Sequence, residues 1–337
     1  MGNPTIYDVA ALAGVSPGTV SRYMNGYELR EYNRVKVAKA IEDLGFEENL
    51  IAKGLKSNRS MAIAVLLPEL RGLFSFDILK NLEMVLEEKD YTMMISDYES
   101  DSVRLAQRLD HFRRRSIDGL ILFPLANGDS CLNSLEEYRD AGIPVVSMSD
   151  RIRGFSCDYI HGGNRFVSFQ AVDHLLSRGH RNIRIVTGRR ETGVTEERME
   201  GCREAFLKHG LSAGDMHIIW TDYTMEDALS KIGESLASDP PTALYCTSYY
   251  ITMGAVLAVN GSKYQLGTDV SLIGHDYFAG TEIVSPALTT VEHDLESLGR
   301  EAGLLMMDRI GNGIPDEYLE IEIPMKLNIR ESVRALT

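Results

Sequence analysis

Thr5-Ile6-Tyr7-Asp8-Val9-Ala10-Ala11-Leu12-Ala13-Gly14-Val15-Ser16-Pro17-Gly18-Thr19-Val20-Ser21-Arg22 opens the chain as two short helices joined by a tight turn. Thr5 is placed to cap a first helix whose apolar positions Ile6, Val9, Ala10 and Ala13 recur at helical spacing. Gly14 permits the sharp turn that follows. Ser16 then caps a second helix, with Pro17 in its first turn, where a missing N–H costs nothing. Val15 and Val20 face the first helix, which leaves Thr19, Ser21 and Arg22 pointing outward. Such a helix pair lays its second helix in the major groove of DNA; the bland alternative is a small amphipathic pair with no ligand.

Outward from this stretch, Val35, Val37, Ala38, Ile41 and Leu44 predict a third helix over Asn33–Leu44, ended by Gly45. Glu47 to Leu55 and the polar run Lys56–Ser60 then read as a hinge and linker. From Met61 the pattern changes to apolar strands alternating with amphipathic helices. A first set has strands at Met61–Leu67, Tyr91–Ser96, Gly119–Phe123 and Pro144–Met148. A second has strands at Ile183–Val186, His217–Trp220, Ala243–Cys246 and Val270–Ile273. Continuous apolar strands between helices imply parallel sheets covered on both faces, and two sets imply two Rossmann-like subdomains. The fold class is therefore α/β: a three-helix headpiece and hinge, then two parallel-sheet subdomains. The expected boundaries are 1–46 for the headpiece, 47–60 for the hinge and linker, and 61–337 for the core. Within the core the first subdomain takes about 61–160 and 291–318, and the second about 161–290 and 319–334.

Length and composition agree with this division. A chain of 337 residues with 44% hydrophobic content is long enough for two or three domains. No apolar run is long enough to span a membrane, and the polar N-terminus enters a helix at once, so a cytoplasmic protein without a signal peptide is expected. Cys131, Cys157, Cys202 and Cys246 lack paired spacing and read as buried or idle thiols. The net charge is −14, yet residues 1–60 carry eight Lys or Arg against seven Asp or Glu. The acidic excess lies in the core. A nearly neutral headpiece supplies little of the phosphate neutralisation that drives non-specific DNA binding, which makes dimerisation a requirement. No glycine-rich phosphate loop, no metal-ligand spacing and no Ser/His/Asp set occurs, so neither cofactor, metal nor enzymatic activity is expected. Arg113-Arg114-Arg115 reads as a solvated helix end, and His180 as a structural contact.

The opening stretch resembles the lactose/galactose-repressor (LacI/GalR) family of bacterial transcription regulators. The family string T-x-x-D-V-A-x-x-A-G-V-S-x-x-T-V-S-R is matched at every fixed letter from Thr5 to Arg22, and the resemblance runs on to Arg330-Glu331-Ser332. It implies a core built like periplasmic sugar-binding proteins. It also implies a homodimer that binds palindromic double-stranded operator DNA, most simply as a repressor, under the control of a small molecule held between the subdomains. In that frame Arg22 reads a base, while Pro17 and Gly18 occupy base-reading positions but offer only shape or methyl contact. Tyr7, Ser16, Thr19, Ser21 and Asn25 hold phosphates. Asn49, Ala52 and Leu55 match the hinge helix, whose leucine wedges into the minor groove.

Around the effector the resemblance points to Arg198, Asp276 and Tyr223, to Phe74 from the first subdomain, and to Asp150 and His293. Arg198 suits vicinal hydroxyls or a carboxylate, and Tyr223 suits stacking. Departures are informative. Glu48 stands where the family has proline, and Gly54 weakens a short helix by about 1 kcal/mol. Ser248-Tyr249 replaces an Asn-Asp pair, and Gly163-Asn164 replaces Asp-Asn. Fewer polar partners and an added aromatic imply an effector less hydroxylated or more apolar than a simple hexose, a carbohydrate or a derivative of one. The rival expectation is a small-molecule sensor whose headpiece is weak or unused.

Overall fold

The computed structural model describes residues 4–24, 26–47, 59–70, 73–124, 131–190, 192–276 and 284–336, with the side chains of 73 and 74 excepted. Asn25, Asn49, Ala52, Leu55 and the expected hinge helix lie outside the described residues, as does the Phe74 side chain. The chain forms two compact units, Met1–Ser60 and Met61–Thr337.

The first unit holds helices α1 (Ile6–Ala13), α2 (Pro17–Met24) and α3 (Glu31–Leu44). Thr5 and Asp8 form a reciprocal capping box: the Asp8 carboxylate accepts from the Thr5 N–H at 2.8 Å, and the Asp8 N–H donates to Thr5 Oγ1 at 3.4 Å. Gly14 takes φ 65°, the left-handed conformation that ends α1 and starts the turn. Ser16 Oγ accepts the Thr19 N–H at 3.2 Å and so caps α2. Val9, Ala10, Ala13, Val20, Val37 and Ala40 form the core of the unit. Two expectations need correction here. Helix α3 begins at Glu31, two residues before Asn33, and the Glu31–Arg34 pair spans its first turn at 2.8 Å. Val35 does not enter the core but lies 56% exposed, because Val37 and Ala40 already fill the face toward α1.

The second unit carries two six-stranded sheets. The first contains β1 (Ala62–Leu67), β2 (Thr92–Asp97), β3 (Gly119–Leu122), β4 (Val145–Met148), β5 (Asp158–Gly162) and β11 (Glu320–Ile323), in the order β11-β5-β4-β3-β1-β2. The second contains β6 (Ile183–Thr187), β7 (His217–Trp220), β8 (Ala243–Cys246), β9 (Ser271–His275), β10 (Thr289–Glu292) and β12 (Lys326–Asn328), in the order β12-β10-β9-β8-β6-β7. All pairings are parallel except β10 with β12. Both sheets are doubly wound, with the switch of direction beside β1 and β6, the place where such folds bind ligands beyond the strand ends.

Helices α4 (Leu73–Glu87), α5 (Ser102–Arg114), α6 (Leu132–Asp140) and α11 (Leu295–Asn312) belong with the first sheet. Helices α7 (Asn164–Ser177), α8 (Gly193–Lys208), α9 (Met225–Ser238) and α10 (Tyr249–Asn260) belong with the second. Strands β1 and β3 are apolar and almost wholly buried, because helices cover both faces.

The subdomain boundaries at the C-terminal end differ from the expected ones. Residues 319–323 belong to the first sheet, not the second, since Glu320–Ile323 pairs in parallel with Tyr159–Gly162. Asp158 explains this: its Oδ1 accepts the Leu319 N–H at 2.8 Å and anchors the returning chain beside β5. Asp158 is itself held by Arg309 of α11 at 2.7 and 3.0 Å. The crossover to the second sheet comes only after Ile323. Residues 291 and 292 belong to β10 of the second sheet, so the preceding crossover also comes slightly later than expected.

Candidate functional site

The carboxyl ends of the two sheets face one cavity of about 810 Å³, lined from both subdomains. Asp150, Arg198, Tyr223, Ser248, Tyr249, Asp276 and His293 all line it. Each sits just past the end of a strand or in the first turns of the helix that follows. Ser100, Ser149, Tyr223 and Asp276, all cavity residues, hold left-handed backbone conformations with φ between 54 and 72°. Non-glycine residues persist there only where surrounding structure imposes them, commonly at ligand sites.

Arg198 lies on α8 and is buried. Its Nε donates to Asn164 Oδ1 at 2.8 Å, and Nη1 donates to the Thr247 carbonyl. Asn164 in turn donates to Glu197 Oε2 at 3.2 Å. The guanidinium is thus oriented before any ligand arrives. Helix α8 can lie this close to α7 because Gly201 presents no side chain; a Cβ there would overlap the Arg165 carbonyl. Asn164 keeps one polar group at a position where the sequence pointed to lost polar partners, but it is directed at Arg198.

Tyr223 donates or accepts at Thr195 Oγ1, 2.6 Å away, and its ring lies over Gly188, which has room for it only as glycine. Ser248 caps α10 through the Ile251 N–H at 3.4 Å. Tyr249 meets Tyr250 edge to face, ring centres 5.1 Å apart. Phe123 and Met148 add apolar wall from the first subdomain. Asp150 has both oxygens engaged by backbone amides: Arg151 N–H at 2.8 Å and Gly193 N–H at 2.9 Å. Burial raises its pKa above the ordinary carboxylate value, against the pull of those amides. Glu197 is raised for the same principal reason, burial.

His275, Asp276 and His293 come together at the ends of β9 and β10. His275 pairs in register with Val291, so the residues just beyond the two strands are neighbours. Asp276 Oδ1 lies 3.6 Å from His275 Nδ1 and 3.5 Å from His293 Nε2. His275 is fully buried, and among the described residues neither of its ring nitrogens has a hydrogen-bond partner, nor has Asp276 Oδ1. Burial, reinforced by the Arg198 charge, pushes His275 down to about 3. Burial likewise pushes His293 down to about 4. Asp276 is held below its usual range by the adjacent imidazoles and Arg198, which outweigh its desolvation. This cluster was invisible as a spacing, because its third member comes from the next strand of the sheet rather than from a local motif.

In the headpiece, Ser16, Pro17, Gly18 and Arg22 are exposed along one side of α2, and Tyr7 is 71% exposed on α1. Thr19 and Ser21 are half-buried, and the Thr19 hydroxyl lies 3.0 Å from Ser16 Oγ. His180 is fully buried far from the cavity, between Thr242 Oγ1 at 3.0 Å and the Arg334 carbonyl at 3.1 Å.

Comparison with known proteins agrees with this organisation. Residues 5–49 match the family described as bacterial regulatory proteins, lacI family. Residues 172–333 match a periplasmic binding protein-like domain. The HTH-type transcriptional repressor PurR of Klebsiella pneumoniae is 30% identical, over 98% of this chain and 96% of its own. Catabolite control protein A of Priestia megaterium is 26% identical, over 98% and 100%. A transcriptional regulator CelR–cellobiose complex superposes with a TM-score of 0.74 at 27% identity, covering 98% of this chain and 99% of that one. The Lac repressor bound to ONPG superposes with a TM-score of 0.81, over 98% and 100%, and at 21% identity it supports the fold alone. With relatives aligned over nearly its whole length, the chain belongs to the lacI family of bacterial regulatory proteins and is a DNA-binding transcriptional regulator with a periplasmic-binding-protein-like core.

Proposed function

We propose that the protein is a homodimeric repressor that binds a palindromic operator and whose DNA affinity is set by a small molecule in the cavity between the two core subdomains. The observation that carries the reading is Arg198, buried, pre-oriented by Asn164 and Thr247, and lining the cavity opposite residues of the other subdomain. A buried, fixed guanidinium recognises a carboxylate or a pair of hydroxyls. Asp276 would accept from a ligand donor. Tyr223, Tyr249 and Tyr250 would cover an apolar or ring face. The ligand is therefore a molecule with one polar edge and one apolar face, less hydroxylated than a simple hexose. The known cellobiose complex of a relative makes a carbohydrate derivative the first class to try.

In the headpiece, Arg22 would pair with a guanine edge. Tyr7, Ser16, Thr19, Ser21 and Asn25 would hold phosphates, with Pro17 and Gly18 contributing shape. Asn49, Ala52 and Leu55 would enter the minor groove at the operator centre. Ligand binding would shift the balance between subdomain arrangements, and with it the spacing of the two reading helices. The test is native mass spectrometry of protein purified from its host, beside an Arg198→Ala variant. A bound small molecule in the parent and none in the variant supports the reading. Equal retention by both contradicts it.

A further inference from the structure

We infer that His275, Asp276 and His293 form a binding site for a divalent transition-metal ion of the zinc class, open toward the cavity. The three side chains bring one ligand atom each to within 4.8 Å of one another. The two distances about Asp276 Oδ1, 3.5 and 3.6 Å, are too long for hydrogen bonds. They are the separation expected between two ligands of one tetrahedral ion with bonds of about 2.0–2.1 Å. Two imidazoles and one carboxylate are a donor set that suits zinc and its neighbours rather than calcium or magnesium, which take oxygen ligands.

The second observation is the state of His275. Its ring is wholly buried, and among the described residues neither ring nitrogen has a hydrogen-bond partner. A buried polar group without a partner costs about 1–3 kcal/mol, and a metal bond to Nδ1 would offset that cost. The His275 ring is wholly buried and the His293 side chain is 9% exposed, so both are poised as neutral donors only once an ion is present to hold them. His275 is held in place by its backbone N–H, which donates to Thr252 Oγ1 at 3.0 Å.

Asp276 and His293 line the cavity while His275 lies beneath them. Three protein ligands on one side leave the fourth position of a tetrahedral ion facing the ligand space, the arrangement of zinc sites that exchange a ligand. Arg198 lines the same cavity as Asp276 and His293. Its charge opposes a bare cation and favours an anionic donor in the open position. The site would therefore take an ion together with hydroxide or with an acidic group of the small molecule.

The experiment titrates the intact, chelator-treated protein with Zn²⁺ against a chromophoric indicator, and separately with Co²⁺, reading the visible absorption that a low-symmetry nitrogen–oxygen site produces. One equivalent of each ion is expected to bind. Asp276→Asn and His293→Gln should each weaken binding at least tenfold, whereas His217→Gln, on an exposed residue, should not. Each variant is first shown to keep the parent's circular dichroism and melting profile. If either cluster variant fails to fold, the Co²⁺ spectrum of the parent decides alone: no nitrogen-ligand band overturns the assignment. Binding that is unsaturable, or unchanged in both cluster variants, also overturns it. Repeating the small-molecule test in excess chelator separates the two readings: retention of the small molecule with no metal site leaves the effector proposal standing by itself.

Discussion

The Asp150 carboxylate of the first subdomain accepts the backbone N–H of Gly193 in the second, at 2.9 Å. Gly193 is the first residue of α8, the helix that carries Arg198. The contact therefore places a carboxylate at a helix N-terminus, where free N–H groups and the helix dipole favour negative charge. Arg153 and Glu196, 3.0 Å apart, bridge the same two subdomains at the surface. Asp150 thus acts as a latch between the subdomains as well as a cavity wall.

A side chain at position 193 would break this latch. A Cβ on Gly193 overlaps the Asp150 carboxylate. Gly193→Val is expected to weaken small-molecule binding roughly tenfold, about 1.4 kcal/mol, with the headpiece fold unchanged. Calorimetric titration with a ligand found by mass spectrometry checks it, and unchanged affinity would count against the latch.

Arg198→Ala removes the guanidinium that Asn164 and Thr247 fix. Hydrogen bonds to a charged group contribute about 1.5–3 kcal/mol, so affinity for the small molecule should fall roughly 10- to 100-fold. Arg198→Lys should recover little, because a point charge cannot reproduce the fork. The same titration reads both variants.

The Arg309–Asp158 pair is buried, at 2.7 and 3.0 Å, and Asp158 also anchors the Leu319 amide. Arg309→Met leaves a buried carboxylate without its cation. Breaking such a pair costs about 3–5 kcal/mol, which for a core of this size lowers the melting temperature by roughly 10 °C. Calorimetry of the variant tests this, and a shift under 2 °C, against that estimate, would place the stability elsewhere.

His180 adds to a pH dependence that His275 and His293 share, since burial lowers all three imidazoles. Burial holds the His180 pKa below the ordinary histidine value of 6.5. The unfolded chain then binds a proton that the folded chain refuses, so stability is full above 6.5 and falls as pH drops below it. Melting curves from pH 7.5 to 5 should show this loss, and His180→Gln should flatten the slope. An equal slope in both proteins would assign the dependence to other groups.

Much of this architecture is legible in the sequence, and the exceptions have physical causes. The capping residues Thr5 and Ser16, the left-handed Gly14 and the apolar strands β1 and β3 act locally, so pattern reading finds them. Strands β5 and β10 escape because their interiors are polar: Asp158 is matched by Arg309 and Thr289 accepts from the Arg330 N–H at 2.9 Å, partners far away in sequence. Strand β11 joins the first sheet rather than the second through Asp158, 161 residues away in sequence, which the local pattern does not reveal. In the cavity, Arg198 and Asp276 stand out by their motifs, whereas Asn164, Thr195, Thr247 and His275 matter through contacts that only the folded chain creates.

The most direct test of the account is selection of bound duplexes from a randomised DNA pool at one stated salt concentration, with and without a metabolite extract, for the parent and Arg22→Ala. The account predicts enrichment of a palindrome in at least one condition, a change in enrichment on adding the extract, and loss of the palindrome in Arg22→Ala. A folded parent that enriches no sequence in either condition, or an Arg22→Ala variant that enriches the same palindrome equally well, would contradict it.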